Sequence, residues 1–255
     1  MTTAIRTRRP GIRSMLLLIV SEGKMVVRDT AGLIVPLGLP LLVLLTSAGS
    51  AADQVIENGM TALDLFVLPL VLVIMIATIG VINMPSFLAY YRRTGILRRL
   101  AVTPASPFMV LAAQAVVSAI QIIVGIIAAF AVAALAFGAN PPANVAAAIG
   151  VVVLAIAALY SVGLIVAAVA PTPNSSVALG LIAFFALGAL GGMFGGREAL
   201  PAPLAELGGW LPFGAAVDAL TAAWAGAPVP VEQLLCLGGT VVVGTVTAAL
   251  LFRWE

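Results

Sequence analysis

Histidine is absent from this sequence, and cysteine occurs once, as Cys236. Without histidine, the chain lacks the commonest general base and the commonest metal ligand in proteins. A single cysteine forms no intrachain disulfide, and with the apolar neighbours of Cys236 it is expected simply to pack. We therefore expect no enzymatic activity, no catalytic residue, no metal site and no cofactor site in this chain.

A phosphate-binding loop of the form Gly-x4-Gly-Lys-Ser/Thr is also missing. The one Gly-Lys pair lies in "EGKMVV", Glu22–Val27, which lacks the first glycine and the hydroxyl residue that binds magnesium. If ATP drives this protein, a separate polypeptide has to bind the nucleotide and its magnesium ion.

Charge is scarce, at 9% of residues, whereas 62% of the 255 residues are hydrophobic. Soluble domains carry roughly 25% charged residues. One core could not hide this much apolar surface from water, so lipid is expected to be the solvent for most of the chain.

Six stretches are apolar and long enough, at about 20 residues, to cross a bilayer. They are residues 31–49, 65–87, 107–137, 145–170, 176–194 and 231–252. Pro36 and Pro40 lie in the first stretch, where a helix in lipid tolerates proline if neighbours cover the freed carbonyls. The third stretch exceeds the roughly 30 Å hydrocarbon core at about 1.5 Å per residue, so it is expected to tilt or protrude.

Basic residues gather on one side of this arrangement. Six spans place both termini and the loop 88–106 together. That side holds Arg6, Arg8, Arg9, Arg13, Lys24, Arg28, Arg92, Arg93, Arg98, Arg99 and Arg253, whereas the other side holds Arg197 as its single basic residue. The positive-inside rule then predicts that both termini are cytoplasmic. A five-span count would move only Arg253 to the other side.

Residues 1–30 precede the first span and are expected to stay at the cytoplasmic surface. The run "SMLLLIVS" is too short for a signal peptide and is followed at once by charged residues. An amphipathic helix lying in the membrane interface fits this segment. A solvated basic tail is the alternative for residues 1–13.

The loop between the second and third spans reads "YYRRTGILRRLAVTPASP", from Tyr90 to Pro107. At about 100° per residue, Ile96, Leu97 and Leu100 share one helical face, which predicts a short amphipathic helix at the inner membrane surface. Two roles stay open on this pattern. Its arginines either bind anionic lipid and set topology, or they dock a cytoplasmic partner.

This loop, the "RDT" (Arg28–Thr30) before a proline-bearing span, and "GGREALPAPLAELGGWLPFGAAVDALTAAWAG" (Gly195–Gly226) together resemble the permease subunit of ABC-2 type transporters, the drug-resistance and polysaccharide exporter class. The resemblance covers nearly the whole chain. It implies one all-α polytopic membrane domain, residues 1–255, with six transmembrane helices and an N-terminal interfacial helix. It also implies a cytoplasmic coupling helix within 88–106 and a partly re-entrant outer helical hairpin within 195–230.

In that family the coupling helix docks on an ATPase subunit. By resemblance the coupling residues here are Arg92, Arg93, Thr94, Gly95, Leu97, Arg98, Arg99, Leu100, Thr103 and Pro104. The sequence departs from the commoner pattern because Tyr90, Tyr91 and Arg98 stand near positions where glutamates are usual. The hairpin, with Pro201, Trp210, Pro212 and Asp218, is expected to act as an outer gate.

The resemblance implies two P-loop ATPase subunits, which bind ATP and magnesium, and a second permease chain, identical or homologous. No nucleic acid is expected as a partner. The expected function is ATP-driven export of a hydrophobic or amphipathic substrate, such as a drug or a lipid-like metabolite, across a bacterial cytoplasmic membrane. An ion-coupled carrier and a non-transport scaffold are the alternatives, and the predicted span interiors offer no ionisable residue for the carrier.

Overall fold

The structure is a computed structural model that describes residues 11–57, 59–95 and 107–251. These residues form nine α-helices and one two-stranded antiparallel sheet. The helices are α1 Ile12–Arg28, α2 Thr30–Ala52, α3 Leu63–Arg93, α4 Pro107–Phe137, α5 Val145–Val169, α6 Pro173–Leu190, α7 Ala202–Gly209, α8 Pro212–Ala225 and α9 Val231–Leu251, and the strands are β1 Val55–Glu57 and β2 Met60–Thr61.

Six helices in the described part of the chain are long and apolar enough to cross a membrane, namely α2, α3, α4, α5, α6 and α9. This confirms the predicted all-α polytopic architecture. Three of the helices differ from the predicted spans by three residues or more at an end. Helix α2 ends at Ala52 rather than at residue 49, and α3 runs six residues beyond residue 87, to Arg93. Helix α6 covers Pro173–Leu190 rather than residues 176–194.

Helix α3 is the central element, and its middle is apolar and buried on all sides. It contains two π-helical segments, Leu63–Val67 at its start and Thr78–Asn83 within it. Each segment is followed two residues later by a proline, Pro69 or Pro85. A proline ring clashes with the carbonyl four residues earlier in a regular α-helix, and a wider turn relieves that clash.

Helix α2 carries prolines in its interior, and the carbonyls that they free are covered by α3 and α4. Pro36 has no N–H to donate to the Gly32 carbonyl. That oxygen instead accepts hydrogen bonds from Asn83 Nδ2 at 2.7 Å and from Gln121 Nε2 at 2.9 Å. Pro40 likewise frees the Pro36 carbonyl, and Thr78 Oγ1 lies 3.5 Å from that oxygen but closer to two carbonyls of its own helix. The carbonyl freed by Pro36 is therefore covered by neighbouring helices, as expected for a proline in lipid.

Glycines allow α5 and α6 to touch the second π segment. A methyl group on Gly163 would overlap the carbonyl oxygen of Gly80, so α5 and α3 meet backbone to backbone. A Cβ on Gly180 of α6 would lie 2.6 Å from the carbonyl oxygen of Val81. Small residues at such contacts are typical of helices that associate inside a membrane.

The helices divide into two layers on either side of α3. Helices α1 and α2 and the long α4 pack on one side, whereas α5, α6, α8 and α9 pack on the other. Helices α4 and α5 are consecutive in the chain, yet a groove lined by both of them and floored by α3 separates them.

Helices α7 and α8 form a hairpin between α6 and α9, preceded by a 3₁₀ turn at Arg197–Ala199. Helix α8 is attached to the first turn of α3. Pro69 frees the carbonyl of Leu65, and Thr221 Oγ1 donates a hydrogen bond to that oxygen at 2.9 Å. We call this end of the bundle the hairpin end, and the end at which α3 stops the Arg92 end.

Candidate functional site

At the Arg92 end, the last turns of α3 contact α1 and α4. The Tyr91 hydroxyl of α3 donates a hydrogen bond to the carboxylate of Glu22 in α1. Both side chains are buried, and Met25 Sδ lies 3.7 Å from the same hydroxyl. Nearby, Val26 of α1 packs against Phe87 and Val117 of α3 and α4. The N-terminal helix is therefore fixed to the last turns of α3.

Glu22 is an unusual residue to bury, at 6% exposure. Burial raises the pKa of Glu22, and the hydrogen bond from Tyr91 acts against that rise. Burying a carboxylate without a hydrogen-bond donor would destabilise the folded protein. The hydrogen bond from the Tyr91 hydroxyl offsets that destabilisation. The tie between α1 and α3 is thus one specific polar contact inside an apolar surround.

Arg92, next in the chain, reaches the other layer. Its Nη2 atom donates to the carbonyl oxygens of Ala167 at 2.6 Å and Ala170 at 2.5 Å, at the C-terminal end of α5. The last carbonyls of a helix lack intrahelical partners and carry partial negative charge. Arg92 therefore caps α5 and links it to the end of α3.

Helix α3 ends within the predicted coupling motif. Gly95 has a φ of +69°, the left-handed conformation that ends many helices, and its N–H donates to the Arg92 carbonyl at 3.1 Å. The side chain of Thr94 bonds to the Tyr90 carbonyl at 2.9 Å. Thr94 and Gly95 are the stop signal of α3, and Arg93 lies at that end.

The structure thus separates the described coupling residues by role. Arg92 is committed to α5, while Thr94 and Gly95 end α3. The predicted coupling helix itself lies outside the described residues, as do six of the coupling residues. These six are Leu97, Arg98, Arg99, Leu100, Thr103 and Pro104.

At the hairpin end, Arg197 pairs with Asp218. Arg197 Nη2 lies 2.5 Å from Asp218 Oδ2, and Gln233 of α9 donates to the same oxygen at 3.3 Å. Burial raises the pKa of Asp218, and the charge of Arg197 and its hydrogen bond oppose that rise. Arg197, the single basic residue on its predicted side of the membrane, is therefore paired with Asp218. The pair links the turn before α7 to α8.

The other predicted hairpin residues mark its corners. Pro201 precedes α7, Trp210 follows it, and Pro212 is the first residue of α8. The backbone carbonyl of Trp210 accepts a hydrogen bond from Cys236 Sγ at 3.1 Å, so Cys236 ties α9 to the hairpin. The role of these residues in an outer gate stays a prediction.

Asp64, the residue directly before the second predicted span, belongs to a polar cluster at the hairpin end. Its side chain has no exposed surface. It accepts hydrogen bonds from Thr61 N and Oγ1, both at 2.9 Å, and from Asn140 N and Nδ2, at 2.7 and 3.0 Å. The Asn140 carbonyl in turn accepts a bond from Trp224 Nε1 at 3.2 Å. Asp64 therefore links the start of α3 to the α4–α5 loop, and Asn140 of that loop links both to the hairpin.

Neither end of the bundle offers an evident metal site. Within residues 11–57, 59–95 and 107–251, no three His, Cys, Asp or Glu residues lie close enough together to hold an ion. The polar groups at both ends instead bind parts of this chain to one another. The hydrogen bonds at the two ends therefore hold the helices of the bundle together.

The sequence was compared with models of known protein families, and one family matches. Residues 14–224 match the model of the family described as "ABC-2 type transporter". The match starts in α1 and ends in α8, so it includes both the Arg92 end and the hairpin. A search of curated proteins found no match for the sequence.

Proposed function

The chain belongs to the ABC-2 type transporter family, and from this premise we propose that it is the permease subunit of an ATP-driven exporter. As a member of that family it is an integral membrane protein and a permease component of an ABC transporter. We propose further that two copies of a separate ATPase dock at the Arg92 end, and that a second permease chain completes the pathway.

The observation that carries the docking proposal is the double attachment of the last turn of α3. Tyr91 binds Glu22 of α1, and Arg92 binds the end of α5. A displacement of the segment that follows Gly95 would therefore be passed to both layers of the bundle. The last turn of α3 is therefore suited to transmit a movement of the ATPase subunit to the transmembrane helices.

The ion-coupled carrier is less well supported by the same contacts. Such carriers need ionisable groups that bind and release ions within the membrane. Asp64 is a buried carboxylate, but four hydrogen bonds from Thr61 and Asn140 occupy its oxygens. It also lies at the first turn of α3, with the two-stranded sheet beside it. We therefore interpret Asp64 as a structural anchor.

The spans suggest the class of cargo. Their surfaces are rich in Leu, Val, Ile, Ala and Phe, and the described interiors hold few polar side chains. We propose that the exporter moves hydrophobic or amphipathic molecules, such as drugs or lipid-like metabolites. If so, a panel of bulky hydrophobic drugs should stimulate ATP hydrolysis by the assembled complex, and equal rates across the panel would argue against this cargo.

The docking proposal is tested by recovering the tagged chain from its native membrane in mild detergent, with mass spectrometry and an ATPase assay. The wild type is expected to bring down a P-loop ATPase. Arg98→Glu with Arg99→Glu should abolish that association or uncouple the ATPase. Arg13→Glu with Lys24→Glu makes the same change in net charge at two exposed positions of α1 and serves as control. A well-folded wild type that brings down no ATPase would overturn the proposal.

A further inference from the structure

The groove between α4 and α5 is a recess with no use in the function proposed above. Its volume is about 720 Å³. Leu68 and Leu72 of α3 form its floor, α4 and α5 form its walls, and Pro141, Pro142 and Trp224 close it at the hairpin end. Its mouth lies between α4 and α5, where apolar wall residues such as Ile127 and Ile149 are exposed.

The lining of the groove is almost entirely apolar. Its walls carry Ile123, Ile127 and Phe130 on α4, with Ile149 and Val152 on α5. None of the lining residues is charged, and the one indole N–H, that of Trp224, already donates to the Asn140 carbonyl. Sites for compact drug-like ligands place a few polar groups to orient the molecule. This groove offers none, so its ligand must be apolar along the whole buried length.

The length of the groove narrows the choice further. Its lining runs from Ala119 to Ala131 on α4 and from Val145 to Ile156 on α5. At about 1.5 Å per residue these stretches are roughly 17–18 Å long. Half of a hydrocarbon core of roughly 30 Å is about 15 Å. The groove therefore matches the depth of one leaflet, from the hairpin end toward the bilayer centre.

A helix of a second protein chain fits less well. A transmembrane helix crosses the full hydrocarbon core of roughly 30 Å, whereas the lining of the groove covers about half of that length. An acyl chain of a lipid in one leaflet matches that length.

We propose that this groove is a binding site for one acyl chain of a membrane lipid in the leaflet at the hairpin end. The chain enters sideways between α4 and α5, lies on Leu68 and Leu72, and leaves its headgroup near Pro141 and Pro142. Because no lining residue is charged, affinity depends on chain length and not on the headgroup. The site does not depend on the proposed ATPase.

The test uses the full-length protein in nanodiscs of phosphatidylcholine that include a fraction carrying a diazirine at the end of one acyl chain. After illumination, peptide mass spectrometry locates the adducts. They are expected to concentrate on residues 119–131 and 145–156. Lysophosphatidylcholine should compete more strongly as its chain lengthens, until the chain fills the groove. Lysolipids of equal chain length and different headgroup should compete equally.

Two variants narrow the groove, and one matched variant leaves it open. Ala131→Trp fills the groove from α4. Val153→Trp fills it from α5, and because the Val153 side chain is exposed, this change leaves the packed interior undisturbed. Both should reduce labelling of the groove several-fold. Ala136→Trp adds the same bulk to α4 at an exposed position outside the groove and should leave labelling unchanged.

Three results would overturn the proposal. Adducts spread evenly over the lipid-facing helices, α9 included, and insensitive to Ala131→Trp would show no specific site. Competition that follows the headgroup would contradict an apolar site. Efficient crosslinking between copies through Ala131→Cys, in a Cys236→Ser background, would show that protein covers the groove. None of these readouts uses ATP, so failure of the export proposal would leave them interpretable.

Discussion

At the residue scale, several polar side chains of this membrane bundle compensate for prolines. The carbonyls of Gly32 and Leu65 each lie four residues before a proline, and each accepts a hydrogen bond from a side-chain donor of another helix. In lipid an unpaired backbone carbonyl costs several kcal/mol, so the donors compensate for a bond that proline cannot make. Asn83 and Gln121 thereby acquire a structural explanation.

This explanation predicts an interaction between Pro36 and its two donors. Replacing both Asn83 and Gln121 by Leu should destabilise the protein by roughly 1–2 kcal/mol, because the Gly32 carbonyl loses both bonds. In a Pro36→Ala background the new N–H can bond to Gly32, so the same replacement should cost less than half as much. Thermal unfolding in detergent of the four proteins measures this difference.

The control for that experiment is Gln233→Leu, which removes a donor to Asp218 rather than to a proline-freed carbonyl. Its effect should be the same with Pro36 and with Ala at that position. If the double replacement of Asn83 and Gln121 also costs the same in both backgrounds, the two side chains serve some other purpose and the compensation idea fails.

At the element scale, the contact of α5 with the second π segment depends on two facing glycines. Gly163→Ala would place a methyl group against the Gly80 carbonyl and force the helices apart. Overpacking of this kind typically costs about 1–3 kcal/mol. We expect a lower midpoint of thermal unfolding and weaker packing of α5 on α3.

Gly150 provides the matched control because it lies on the same helix, is exposed, and has open space around it, so that an added Cβ would meet no atom within 4 Å. Gly150→Ala should leave stability unchanged or raise it by up to about 1 kcal/mol, since alanine favours helix. A Gly163→Ala protein as stable as Gly150→Ala would show that the two helices do not meet as described.

Element boundaries show what sequence alone could predict. Each of the six predicted spans corresponds to a helix, because hydropathy is averaged over about 20 residues and a few polar residues change the average little. The predicted end of the second span, residue 87, lies six residues before the end of α3. Tyr90, Arg92 and Arg93 are polar enough to suggest a loop, but Tyr91 and Arg92 have partners in α1 and α5 that are distant in sequence.

The candidate site was predictable only in part for the same reason. The Thr94-Gly95 pair is a local helix-stop signal, readable from sequence. The burial of Asp64 depends on Asn140, 76 residues away, and no local pattern announces it. The π segments depend on Pro69 and Pro85 inside a span, a signal that was available and could have been used.

At the scale of the whole molecule, the distribution of charge predicts how the protein sits in its membrane. The Arg92 end is expected to be cytoplasmic and the hairpin end external. In a Cys236→Ser background, Glu57→Cys at the hairpin end should react with a membrane-impermeant maleimide in intact cells. Arg13→Cys, in α1, should react only after permeabilisation. Both native side chains are exposed, so reversal of this pattern would contradict the orientation.

The separation of α4 from α5 has a mechanical consequence. One group of helices contains α1, α2 and α4, the other contains α5, α6, α8 and α9, and both pack on α3. A rotation of one group relative to the other about α3 would change the distance between α4 and α5 across the groove. A molecule bound in the groove would therefore oppose any rotation that narrows it.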